Sequence, residues 1–143
     1  MKGNRKTAKI ICGIIVVAMI IGILYLTFQT PEQTTKLSET VRIWLKNHGW
    51  EMTSKQIRSN VHIPMYFLLG LALFIFARIM KWKWYVSFLV AMGIALLDEC
   101  IKVLIPTREF EVIDLINDFV GIALTGLISQ IWHPMVKANN ISS

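Results

Sequence analysis

"IICGIIVVAMIIGILYLTF", residues 10–28, decides the fold. It carries no charge, and as a helix rising about 1.5 Å per residue it reaches across a hydrocarbon layer about 30 Å thick. Residues 61–79, 84–105 and 113–132 are three further apolar stretches of similar length. Together they take up more than half of the 143 residues, 55% of which are hydrophobic and 17% charged. A soluble domain of this size needs charge over most of its surface. The expected architecture is an all-α integral membrane protein, a single domain over residues 1–143. Its core is a bundle of four transmembrane helices at about 10–28, 61–79, 84–105 and 113–132.

The formal charge of +6 invites a nucleic-acid reading, but the placement of the charges excludes it. With the N-terminus cytoplasmic, Lys2, Arg5, Lys6, Lys9, Arg78, Lys81, Lys83 and Lys137 all fall inside, with no acid among them. All nine Asp and Glu residues fall on the outer half with the other seven bases. A Lys/Arg bias in short loops sets orientation, so both termini are expected in the cytoplasm of a multi-pass cell-membrane protein. The first apolar run is long and no small-x-small site follows it, so it is expected to remain as helix 1 rather than be cleaved. Cys12 and Cys100 fall near opposite ends of the bundle and are expected to be unpaired packing residues.

Between helices 1 and 2 lies the one long loop, from Gln29 to Asn60, placed outside by this topology. Thr30, Pro31 and Gln33 form a capping-box start. Leu37, Val41, Trp44 and Leu45 follow at helical spacing, with Gly49 as a stop. An amphipathic surface helix is expected here, lying at the membrane surface or capping the bundle from above. Thr53 and Gln56 form a second capping box, so helix 2 starts outside the hydrocarbon. "RIMKWKWY", residues 78–85, suits a cytoplasmic interface belt.

Six of the nine carboxylates lie in "ALLDECIKVLIPTREFEVIDLINDFVG", residues 95–121. Counting about 1.5 Å per residue from Trp84 on helix 3, and from Ile113 on helix 4, puts Asp98, Glu99 and Asp118 about 8 Å below the outer hydrocarbon edge. Asp114 and Asp118 share one face of helix 4, which Gly121 and Thr125 continue. Arg58, His62 and Tyr66 descend helix 2 at the same spacing. Ionisable groups inside a membrane face inward and need partners. The residues Arg58, His62, Tyr66, Asp98, Glu99, Lys102, Arg108, Asp114 and Asp118 are therefore expected to line one outward-facing polar cleft, with Asp98 paired to Lys102 at i+4. The alternative is a salt-bridge network with a purely structural role. His48, His62 and His133 are scattered, and no Cys/His set, P-loop or nucleophile elbow is present. No metal and no cofactor is expected, although a lone His62 near carboxylates is where a metal would sit.

Three segments resemble the VanZ-like family of bacterial membrane proteins, which is associated with resistance to teicoplanin and related lipid-bearing glycopeptides. They are "FQTPEQTTKLSETV" (28–41), "IRSNVHIPMYFLLG" (57–70) and "DECIKVLIPTREFEVIDLINDFVG" (98–121). The last is the most specific and is similar to the family's D-E-x-x-Q, then Pro and Arg, then D-x-x-x-N-x-x-G. Asp98, Glu99, Arg108, Asp114 and Gly121 match it, and Arg58, His62 and Tyr66 match the helix 2 pattern. Lys102 stands where the family has Gln, Asp118 where it has Asn, and Ser59 where a basic residue often follows Arg58. The first two changes are opposite in charge and read as mutual compensation. The resemblance implies a phenotype, lowered susceptibility to lipid-tailed glycopeptides, rather than a reaction. Its expected partners are membrane lipids and either a lipoglycopeptide or a lipid-linked cell-wall precursor, with no nucleic acid. An enzyme using Glu99, Asp98 and His62 on such a precursor is the alternative to a binding protein.

Overall fold

A computed structural model describes residues 2–29, 31–105 and 109–139, together with most of their side chains. Its elements are α1 (Lys2–Thr27), α2 (Pro31–Asn47), α3 (Ser54–Met80), α4 (Trp84–Val103) and α5 (Val112–Asn139). Three helical segments are long and apolar enough to cross a membrane: Lys6–Thr27, Ser54–Met80 and Val112–Ser129. Helix α4 follows the expected third stretch but ends at Val103, and α5 continues past its expected end at residue 132.

Local signals explain the boundaries. Thr53 caps α3 in a complete capping box with Gln56, as the sequence predicts, so α3 starts seven residues before the apolar stretch at 61. At its other end Lys81 takes φ 61° and its amide closes the last turn. Gly49 has φ 83°, a left-handed conformation that suits glycine, and the chain leaves α2 there. The predicted capping box at Thr30 and the position of Arg108 lie outside the described residues.

Helix α3 is the axis, and its most extensive contact is with α5. Small residues permit this closeness. A Cβ on Gly121 would lie 2.4 Å from the Ile63 carbonyl oxygen and 2.8 Å from the Phe67 nitrogen, so only glycine fits where the two backbones meet. One turn along, Thr125 Oγ1 donates to the Phe67 carbonyl at 3.0 Å. On α4, Ser87, Ala91 and Ala95 form the buried stripe that leads to Asp98, Glu99 and Lys102. Helix α1 buries Val16, Ile23 and Thr27 along one side and exposes Ile10, Ile14 and Ile21, a distribution that suits lipid. Helix α2 packs on α3 with Ser38 inward and Trp44 exposed. Both cysteines are free, and Cys100 is exposed rather than packed.

Candidate functional site

The polar residues meet where the C-terminal ends of α1 and α4 face the N-terminal turns of α3 and α5. Asp98, Glu99, Lys102, Asp114 and Asp118 are all buried, at 0–4% exposure. Such residues are almost never buried without partners. Every one has them here, and several are not those expected.

Lys102 keeps the expected i,i+4 ion pair with Asp98, but it has closer partners that the spacing did not single out: its Nζ donates to Glu99 Oε1 at 2.5 Å and to Asp114 Oδ2 at 3.1 Å. Asp98 Oδ2 is more distant, at 3.9 Å. Positions i+3 and i+4 flank one helix face, so a long lysine chain reaches either. Asp98 instead accepts a hydrogen bond from Thr27 of α1. Glu99 therefore does have an intrahelical base, and its other oxygen accepts the Glu111 backbone N–H at 3.3 Å.

A correction concerns Asp118. It makes no ion pair with Lys102; its Oδ1 lies 2.7 Å from His62 Nδ1. The cross-helix partner of Lys102 is Asp114. Asp114 Oδ1 also accepts from Ser59 Oγ at 2.6 Å, and Asn117 Nδ2 donates to Ser59 Oγ at 2.9 Å. Ser59, one of the departures from the family pattern, thus has a definite task of holding an acid on α5 from α3.

Arg58 also turns away from the central acids, to Glu111 at 3.2 Å, which Lys55 approaches at 3.3 Å. His62 Nε2 lies 3.7 Å from Asp114 Oδ2, and the His62 ring lies parallel to Tyr66, centroids 6.2 Å apart. The Tyr66 hydroxyl sits within the influence of Asp98, Asp118 and Glu99 but reaches none of them in full hydrogen-bond geometry. Tyr66 Oη and Asp118 Oδ2 are buried with no hydrogen-bond partner among the described residues. Thr27, Glu111 and Asn117 also belong to the site although none was expected there from the sequence, and Ser59 was noted only as a departure from the family pattern. Thr27 reads in the sequence as the end of a lipid-facing span.

Beside this cluster lies a cavity of about 210 Å³. Ile23, Leu26, Val41, Ile57, Val61 and Met65 form its apolar wall. Arg58, His62, Asp98 and Lys102 form its polar side, and Thr27, Gln29 and Ser38 also line it. Helix α2 contributes Ser38 and Val41, so it covers the bundle at this end. Glu39 of α2 is tied to the start of α3 by Ser54 Oγ, which donates to Oε1 at 2.6 Å. Ser54, and then Arg42, hold the half-exposed Glu39 carboxyl below the usual carboxylate range.

A family model described as VanZ/LLP1 matches residues 12–133, a range that contains every residue of this site. No curated protein and no solved structure matches the chain.

Proposed function

The chain belongs to the VanZ/LLP1 family of membrane proteins, and from that premise we propose that it takes up an amphiphile in an outward-facing cleft and so lowers susceptibility to lipid-bearing glycopeptides such as teicoplanin. In this reading α4 is the fourth crossing and α2 is an amphipathic helix at the outer surface. Both termini lie in the cytoplasm, as the Lys/Arg distribution favours. The observation that carries the reading is the cavity. Six apolar side chains line it together with Arg58, His62, Asp98 and Lys102. A ligand with an acyl tail and a charged or hydrogen-bonding head matches both kinds of lining residue. Teicoplanin carries such a tail, and it acts at the outer leaflet where lipid-linked cell-wall precursors stand.

The test is a plug of the apolar wall. Val61→Trp, at a position already 42% exposed, fills cavity space with little strain on the core. Cells making this variant at wild-type level should lose protection against teicoplanin and show no change toward a glycopeptide without a lipid tail. Full protection by the plugged protein at equal abundance counts against the cleft.

One observation favours a second reading, a membrane-embedded enzyme acting on a lipid-linked precursor. His62 and Asp118, 2.7 Å apart beside the cavity, form a pair suited to proton transfer. Asp98, on the cavity wall, is a better placed acid or base than Glu99, whose oxygens are held by Lys102 and Glu111. Mass spectrometry of cell-wall precursors and lipids from cells with and without the protein separates the two readings. A new product marks an enzyme, and unchanged precursors with stoichiometric drug binding mark a binding protein.

A further inference from the structure

We propose that His62, Asp98, Glu99 and Asp118 form a binding site for one divalent transition-metal ion. One nitrogen or oxygen from each of the four lies within 4.8 Å of the other three. The set draws on α3, α4 and α5 and is buried or nearly so. Around an ion bonded at about 2.0–2.2 Å, neighbouring donors stand about 3 Å apart and opposite donors a little over 4 Å. The cluster is already close to that size. The 2.7 Å between His62 Nδ1 and Asp118 Oδ1 suits two neighbouring donors on one ion. His62 Nε2 then faces Asp114 Oδ2 at 3.7 Å. A carboxylate behind a ligating imidazole is the arrangement that fixes the ring in metal sites.

Clustered acids alone do not make a site, and here two further observations point to a ligand. The first is the pair of unsatisfied groups, the Tyr66 hydroxyl and Asp118 Oδ2, both on residues with 0% exposure. A buried polar group without a partner is costly. An ion held by both oxygens of the Asp118 carboxylate gives Oδ2 a partner, and a water on that ion provides a partner for the Tyr66 hydroxyl. The second is charge. Asp98, Glu99, Asp114 and Asp118 bring four carboxylates to the cluster, and among the described residues Lys102 is the lysine or arginine paired with them, while Arg58 and Lys55 pair with Glu111. The carboxylates outnumber the cation paired with them in low-dielectric surroundings, and a divalent ion reduces that excess. One imidazole with carboxylates suits zinc or manganese; soft copper(I) is excluded by the lack of sulfur donors, and calcium is disfavoured by the imidazole.

The inference rests on the cluster's geometry and not on the resistance reading, and it is tested without any antibiotic. The full chain is purified in detergent, stripped with a chelator, and titrated with zinc chloride and with manganese chloride. Bound metal is measured by elemental mass spectrometry and affinity by calorimetry. One equivalent per chain is expected, with at least a tenfold loss of affinity in Asp118→Asn and in His62→Gln and none in Glu39→Gln. Should either variant fail to fold, the wild-type protein loaded with cobalt(II) provides a readout that needs no substitution. Visible d–d absorption that zinc abolishes supports the site. No stoichiometric uptake of zinc, manganese or cobalt, or uptake that survives both substitutions in folded protein, overturns it and leaves protonated carboxylates as the source of neutrality.

Discussion

Lys102 Nζ lies 3.1 Å from Asp114 Oδ2, so one ammonium on α4 serves an acid on α5 as well as Glu99 on its own helix. Lys102→Gln leaves both acids buried without their counter-charge, and removing one partner of a buried ion pair costs about 3–5 kcal/mol. A large drop in melting temperature in detergent is expected. Asp114→Asn in the same chain should restore much of the loss, whereas Asp118→Asn should restore little. Equal rescue by both would mean that the coupling does not follow the ion pair.

Asp98 and Glu99 are neighbours with different surroundings. Glu99 is fully buried and held by Lys102 and the Glu111 amide, while Asp98 borders the cavity. Glu99→Gln should therefore reduce the amount of folded protein in the membrane. Asp98→Asn should leave abundance closer to normal and remove protection against teicoplanin. Immunoblots of membranes beside inhibitory concentrations give both readouts, and the reverse pattern would give the functional role to Glu99 and the structural one to Asp98.

The meeting of α3 and α5 depends on the missing side chain at Gly121. Gly121→Ala puts a methyl against the Ile63 carbonyl and should destabilise the protein by about 1–3 kcal/mol or more. Gly126→Ala is the control, because nothing lies within 4 Å of the added carbon. That variant should melt at or slightly above the wild-type temperature, since alanine is the better helix former.

Single cysteines at Glu39 and Lys137 should label with impermeant reagent from outside and inside respectively. Cys100 is exposed, so the experiment begins from a chain lacking both native cysteines. Labelling of both positions from one side contradicts the four-crossing arrangement.

The tether between Glu39 and Ser54 carries a pH dependence. The Glu39 carboxyl is held below its ordinary value, so its contribution is complete above the unfolded-state value and is lost as pH falls through the lower folded one. Hydrogen exchange in α2 should quicken on acidification to that range. In Glu39→Gln the pH dependence should be much reduced.

Much of this was legible in the sequence. Periodicity located the helices, and a capping box and a glycine marked two boundaries correctly. Counting residues from the helix ends brought Asp98, Glu99 and Asp118 to one depth, and helical spacing put Asp114 and His62 on the faces that lead to them. Partner choice was not legible. A lysine reaches i−3 as readily as i−4, and the competition at Asp98 is settled by Thr27, a residue 71 positions away. Which oxygens converge to within 4.8 Å depends on the rotation and offset of three helices, fixed by contacts such as Gly121 against Ile63. Nothing local in the chain encodes that offset.

The division of the cavity between two parts of the bundle bears on how such a protein can change. Its charged lining, Arg58, Asp98 and Lys102, sits on α3 and α4, whereas Ile23, Leu26 and Val41 of its apolar lining belong to α1 and α2. Substitutions among those three reshape the space for a hydrocarbon tail without touching a carboxylate. Selection can then alter which lipid-like compound is accommodated while the charged half stays constant, and descendants with an identical acid signature can diverge in the amphiphiles they accept.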